Sequence, residues 1–227
     1  MSTLAAASTS TRERALLFLL IGFIAFNIFL AIYCIRIDNI YAIKGQIGFV
    51  AVAVVLYLLR KKLQLTTPTF VFLLAGIGLH VASVLGRFYY ISPVPIPWDY
   101  LTHIISFIGL SCLFFNFYKR LLDDKKIMTF QNISLFVMLF LAVGGVGVLI
   151  ELSEYSGYII FGAQNGALLF GGGDFAGINI NSDVVSEMEM HGGGWLDAMD
   201  DLLINSYATI ASLVILSMNH FYRRRNN

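Results

Sequence analysis

Charge is what this sequence has least of. Asp, Glu, Lys and Arg make up 13% of its 227 residues, about half of the roughly 25% usual in a soluble domain. That excludes a solvated globular surface over most of its length. Cysteine is nearly absent: Cys34 and Cys112 both fall inside apolar runs, which excludes a disulfide framework and leaves two buried thiols. Net charge is only +1, so no overall field draws nucleic acid or acidic surfaces to it. Internal repeats, coiled-coil heptads and soluble domains are missing as well. What remains is apolar: 58% of the residues are hydrophobic and mean hydropathy is +0.77. The composition is that of an all-α, polytopic transmembrane helix bundle embedded in a lipid bilayer.

Crossing roughly 30 Å of hydrocarbon takes a helix of about 20 apolar residues. About six runs meet that length, near 15–35, 43–59, 69–90, 100–118, 133–152 and 201–221. They form one integral membrane domain over 1–227, with a short segment 1–14 before it and a basic tail 222–227 after it. The second run is short and carries Lys44 and Gln46 near its start. A further stretch, GYIIFGAQNGALLF at 157–170, is too short for a span and reads as re-entrant or interfacial. Between the last two spans, 155–200 reads as a long Gly-rich outer loop holding ten of the twenty glycines and no Lys or Arg.

Basic residues alternate in step with these spans. Arg12, Arg14, Arg60, Lys61, Lys62, Lys119, Arg120, Lys125, Lys126 and Arg223 to Arg225 lie on one side, twelve in all, against Arg36, Lys44 and Arg87 on the other. The positive-inside rule then puts both termini in the cytoplasm of a cell membrane. Asn132-Ile-Ser134 matches a glycosylation sequon but falls on the cytoplasmic side, so it is discounted.

Acids show the opposite bias, with eleven of fourteen on the outer side, although the orientation rule does not require it. Three helices carry polar pairs at similar depth. Asp99 and His103 are spaced i, i+4 at the start of span four; Glu151 and Glu154 are spaced i, i+3 at the end of span five; Asp197 and Asp201 are spaced i, i+4 at the start of span six, with Asn205 one turn further on. Converging faces would form one outward-opening pocket of Asp99, His103, Glu151, Glu154, Asp197 and Asp201. Arg87 and Asn205 would meet a substrate there, with His80 near Arg87. Asp200 points away. Asp99 and Asp197 also suit helix capping, since acids complement an N-terminal dipole. Glu151 and Glu154 oppose the dipole at a C-terminal end, so they call for a cation, a proton or a basic partner.

Carboxylates with one imidazole suit a divalent Mg²⁺, Mn²⁺, Zn²⁺ or Fe²⁺ ion; a protonated carboxylate relay is the alternative, and ionisable groups inside a membrane mark function by default. The glycines of VGGVG (143–147) and LLAGIGLH (73–80) suit close helix packing.

At these residues the chain resembles the YjdF-like family of bacterial inner-membrane proteins, more distantly similar to VanZ-like proteins. The shared pattern is an acid four residues before a histidine, then E-x-x-E followed by an aromatic, then a glycine-bearing loop and W-D-x-x-x-D. Here these are Asp99 and His103, Glu151-Leu-Ser-Glu154 with Tyr155, and Trp195-Leu-Asp197-Ala-Met-Asp-Asp201. Tyr155 replaces the usual tryptophan, Leu196 is inserted after Trp195, and the loop is longer. The resemblance spans about residues 90–215 and implies a six-span membrane protein without supplying a reaction. Asp197-x-x-x-Asp201 is also similar to the second aspartate motif of UbiA-like prenyltransferases, but their first motif is missing and the spans are too few. Only lipid diphosphate survives from that comparison, as a substrate class.

Three functions fit. One is a metal-dependent enzyme acting on a lipid-linked or apolar substrate at the outer leaflet, with Glu151 or Glu154 as general base. The second is a cation- or proton-coupled transporter. The third is a structural membrane subunit. Nucleic acid is not an expected partner, and oligomeric state is left open.

Overall fold

The computed structural model describes residues 2–38, 40–85, 88, 92–123, 126–161 and 193–226. Every regular element among them is helical: α1 Ser2–Arg36, α2 Ile40–Leu59, α3 Thr67–Ala82, α4 Trp98–Tyr118, α5 Phe130–Phe161 and α6 Gly193–Asn226, with 3-10 turns Ser83–Leu85 and Lys119–Leu121 prolonging α3 and α4. Five stretches are long and apolar enough to cross a membrane: Thr11–Arg36, Thr67–Leu85, Trp98–Leu121, Phe130–Ser156 and Leu196–Asn226. The expected second span falls on α2, whose apolar part is the shorter Gly45–Leu59. Below six, the count rests on that helix.

Two helices run further than expected. α5 continues to Phe161 and α6 starts at Gly193. The first residues of 157–170 therefore prolong α5, and helices enter both ends of the expected loop 155–200. The remainder of both expectations, 162–192, lies outside the described residues. Glu187, Glu189 and His191 lie there too.

The burial pattern is that of a helix bundle in lipid. Phe18, Phe29, Leu141, Leu149, Ile215 and Met218 face outward, while Asn27, Gln46, Thr69, Ser111, Thr209 and Ser212 are buried between helices. In hydrocarbon, apolar burial drives little association, so small residues and polar contacts hold helices together. α4 sits centrally, packed on α3 and α6; α1 packs on α2 and α3, and α5 on α6 and α4. The close approaches are made by glycine. A Cβ on Gly109 would lie 2.9 Å from the Leu73 backbone nitrogen, and one on Gly76 would lie 2.8 Å from the Ser106 Cα. Gly144 and Gly145 meet nothing within 4 Å, so within VGGVG only Gly147 acts as a packing glycine.

Polar contacts define the bundle's two ends. At one end Arg60 pairs with Glu13 at 2.6 Å, and Asn116 Nδ2 donates to Thr69 Oγ1 at 3.0 Å. Arg12 donates to the Leu65 carbonyl there as well. At the other end Gln46 Nε2 donates to Cys34 Sγ at 3.4 Å, and Trp98 Nε1 donates to the Leu79 carbonyl at 3.1 Å. α1 and α2 are thus antiparallel, joined by a reversal in which Asp38 takes φ 56, a left-handed conformation that aspartate tolerates better than most residues. The Asn132 of the sequon is buried, accepts from Asp123 N at 2.7 Å and turns its Nδ2 onto the Lys126 carbonyl at 2.8 Å. A side chain so engaged is not open to a glycan.

Candidate functional site

Three helix ends meet opposite the basic end. α4 begins after Pro97, which places Asp99 in its first turn, and His103 follows one turn later on the same face. α6 runs parallel to α4, and its earlier start at Gly193 puts Asp201 two turns inside the helix, with Asn205 next below. α5 arrives antiparallel, presenting Gly147 and then Glu151.

His103 is the hub. Its Nε2 lies 3.3 Å from Asp99 Oδ1 and 3.5 Å from Asp201 Oδ2, and its Nδ1 lies 2.9 Å from Asn205 Oδ1. A carbonyl oxygen only accepts, so Nδ1 carries the proton and donates to Asn205. Nε2 then faces two carboxylates, to which a charged ring donates a proton and a neutral one presents its lone pair. Those separations exceed the ~2.7–2.9 Å of a charge-assisted hydrogen bond. They are near the ~3.4 Å between two ligands that each sit about 2.1 Å from one tetrahedral ion. One ligand atom from each of Asp99, His103 and Asp201 lies within 4.8 Å of the other two. Among the described residues this is the one group placed to hold a metal ion.

The surroundings are built around that group. Phe107 stacks on the His103 ring at 6.4 Å, and a Cβ on Gly147 would meet Phe107 at 3.1 Å and Asn205 Nδ2 at 3.2 Å. Glycine is what lets α5 close on α4 and α6 here. Below, Phe107, Val143 and Ala208 form a buried apolar cluster that floors the site. Glu151, Asp201 and Asn205 are 7%, 5% and 1% exposed. Each holds a buried atom without a hydrogen-bond partner: Glu151 Oε1, Asp201 Oδ1 and Asn205 Nδ2. Buried polar atoms are satisfied in the great majority of cases, so three together need a reason.

The expected residues divide as follows. Asp99, His103 and Asp201 are brought together, and Glu151 lies within electrostatic reach of His103 and Asp99. Asp197 lies within reach of Glu151 and Asp201 but outside the three-ligand group. Glu154 is half-buried one turn beyond Glu151 and is also outside that group. Asn205, expected to meet substrate, has its Oδ1 2.9 Å from His103 Nδ1. Arg87 lies outside the described residues. His80 does approach, within reach of His103 and Asp99, with its ring edge-on to Phe49 at 5.2 Å. Asp200 is exposed as expected but accepts from the Tyr100 hydroxyl, which ties α4 to α6. Sequence reasoning missed Tyr100; its place next to Asp99 was the available signal. The apolar cleft of about 670 Å³ between α1 and α3, lined by Phe18, Gly22, Phe23, Val71 and Gly78, contains no metal-binding side chain.

No curated protein and no solved structure matches this chain. A family profile described as a predicted membrane protein (DUF2238) matches residues 15–222. That is most of the chain and all three motif-bearing helices, so the protein belongs to this family of membrane proteins.

Proposed function

We propose that this is a six-crossing cell-membrane protein with both termini in the cytoplasm, and that Asp99, His103 and Asp201 hold a divalent metal facing the outer leaflet. The sixth crossing is α2. Its 20 residues make about 30 Å of helix. Contacts from Gln46–Cys34 at one end to Arg60–Glu13 at the other carry it back along α1. The twelve-to-three split of basic residues supports the orientation, and the three ordered motifs support the narrower YjdF-like resemblance.

The observation that carries the metal reading is the convergence of His103 Nε2 with one oxygen each of Asp99 and Asp201, from two helices, all within 4.8 Å of one another. Mg²⁺, Mn²⁺, Zn²⁺ and Fe²⁺ all suit such a donor set. When bound, the ion polarises a phosphoryl or carbonyl oxygen, or acidifies a water. Glu154, half-buried one turn beyond Glu151, would accept that proton as the general base. The apolar floor favours one-sided chemistry on a lipid-linked or apolar substrate over passage through the bundle.

Asp99 and Asp201 also approach within hydrogen-bonding range of each other, which favours a second reading: a carboxyl pair sharing a proton in proton-coupled transport. Elemental analysis of detergent-purified protein separates the two. Near-stoichiometric metal that disappears in His103→Ala and Asp201→Asn supports the metal site. Folded wild type that stays metal-free after growth with Mn²⁺, Fe²⁺ and Zn²⁺ overturns it in favour of the shared proton.

A further inference from the structure

We propose that the apolar cleft between α1 and α3 seats one acyl chain of an anionic phospholipid, whose headgroup rests on the basic end of the bundle. The inference is independent of the metal site, which lies among α4, α5 and α6. α1 and α3 run parallel and are tied at both ends. At one end Arg12 donates to the Leu65 carbonyl, and at the other the Tyr33 hydroxyl donates to the Leu85 carbonyl at 3.3 Å. Between these ties the walls part and leave about 670 Å³. Glycine usually lets two helices close on each other. Here a Cβ on Gly22 would meet nothing within 4 Å, and one on Gly78 would reach only Phe23, at 3.9 Å. Phe18, on the same wall, is 71% exposed. An empty apolar groove forfeits dispersion contacts along both walls, so hydrocarbon fills it.

Length selects the occupant. The lining runs from Ala15 to Phe26 on α1 and from Thr67 to Gly78 on α3, about 16 Å of helix on each wall. That is about half of the roughly 30 Å hydrocarbon core, the depth of a single leaflet. A helix from a second copy crosses both leaflets and needs a seam that continues past Phe26. Charge selects the headgroup. Among the described residues of the lining Thr67 is the polar one, and it stands at the end where Arg12, Arg14, Lys61 and Lys62 are exposed. Glu13 is engaged there by Arg60 at 2.6 Å, and the carbonyl that Arg12 meets carries no charge. Cations placed beside a membrane helix attract anionic lipid, each contributing about fivefold in affinity.

Native mass spectrometry of detergent-purified protein, titrated with dioleoylphosphatidylglycerol or dioleoylphosphatidylcholine, counts retained lipid and copies of the chain together. The two lipids share their chains and differ in headgroup charge. Wild type is expected to retain one phosphatidylglycerol, more tightly than phosphatidylcholine. Lys61→Gln should weaken it about fivefold, and Lys61→Gln combined with Lys62→Gln about 25-fold. Gly22→Leu places a side chain in the open cleft and should abolish retention, while Gly145→Leu, equally open but on α5, should keep it. Val71→Trp obstructs the cleft from an exposed position on α3 and serves the same purpose where Gly22→Leu does not fold. Equal retention of the two lipids by wild type, or retention of neither, overturns the proposal. Phosphatidylglycerol selectivity that survives both cleft variants places the lipid elsewhere and overturns the seat. A wild-type dimer that Gly22→Leu dissociates gives the cleft to a second copy and overturns it as well.

Discussion

Replacing Asn205 tests the site at its least conspicuous member. The side chain is 1% exposed, and its Oδ1 accepts from His103 Nδ1 at 2.9 Å. In Asn205→Ala or Asn205→Leu no bulk water can take its place, and a buried donor without an acceptor costs about 1–3 kcal/mol. If that cost falls on the metal-bound form, where Nε2 must be the free nitrogen, affinity drops by about 5- to 150-fold. The independent expectation for removing the partner of a ligating histidine is about 10- to 100-fold. The two ranges agree. Asn205→Asp keeps an acceptor of the same size in place, so it should retain binding. Mn²⁺ titration of detergent-purified protein, following the free ion, measures all three variants, and thermal melts without metal establish that each folds.

Two results would refute the reasoning. Alanine and leucine variants that are folded and bind like wild type would show that His103 does not depend on this acceptor. Loss of binding in Asn205→Asp would reverse the roles. It would mean that Asn205 donates through Nδ2, that the His103 proton sits on Nε2 toward Asp99, and that no lone pair remains for an ion.

Other consequences follow from the same geometry. Gly109→Ala puts a Cβ 2.9 Å from the Leu73 backbone nitrogen and should destabilise by about 1–3 kcal/mol. Gly145→Ala, which meets nothing within 4 Å, should be neutral or gain up to ~1 kcal/mol of helix propensity; melting curves of the pair in one detergent compare them. Chelation of a metal present at about 100-fold over its Kd removes about 2.7 kcal/mol of stability. The melting temperature of wild type should therefore fall with chelator while that of His103→Ala stays put. Single cysteines introduced at Lys126 and Arg224, in a background without Cys34 and Cys112, should react with impermeant maleimide only after the membrane is opened. One at Ser92 should react in intact cells and one at Arg14 should be protected like Lys126 and Arg224; protection at Arg14 with labelling at Lys126 and Arg224 in intact cells removes the sixth crossing.

Much of the fold was legible because crossing a bilayer imposes a length and a composition that a sequence displays directly. Five apolar runs became five candidate spans. The second stayed ambiguous for a local reason: Lys44 and Gln46 interrupt the hydropathy although the backbone is helical from Ile40. Packing was half-legible. Glycine in an apolar run signals a close approach without saying which of several glycines makes it. Gly76 and Gly147 do, with Ser106 and Asn205 against them, while Gly144 and Gly145 do not. That difference is set by the rotation of α5 about its own axis, which the sequence spacing does not record. Spacing likewise put Asp99 with His103 and Asp201 with Asn205 on shared faces, yet it was silent on which atoms meet. The role of Asn205 toward His103 Nδ1 needed three dimensions.

The capping explanation divides the aspartates in a way that depended on where α6 begins. With the helix starting near 201, both Asp197 and Asp201 would sit at its N-terminus, where a carboxylate is favoured by the dipole and nothing further need be said. The helix instead starts at Gly193. The dipole's effect fades within the first turn, so it supports Asp99, second in α4, but not Asp201, two turns down α6. Asp201 is 5% exposed with Oδ1 unpartnered, and His103 Nε2 faces its other oxygen at 3.5 Å. A carboxylate in that position has no counter-charge from its helix. It must therefore be protonated, paired with a protonated His103 or bound to a metal ion, and metal titration of the Asn205 variants singles out the last because only it requires His103 Nε2 to be free.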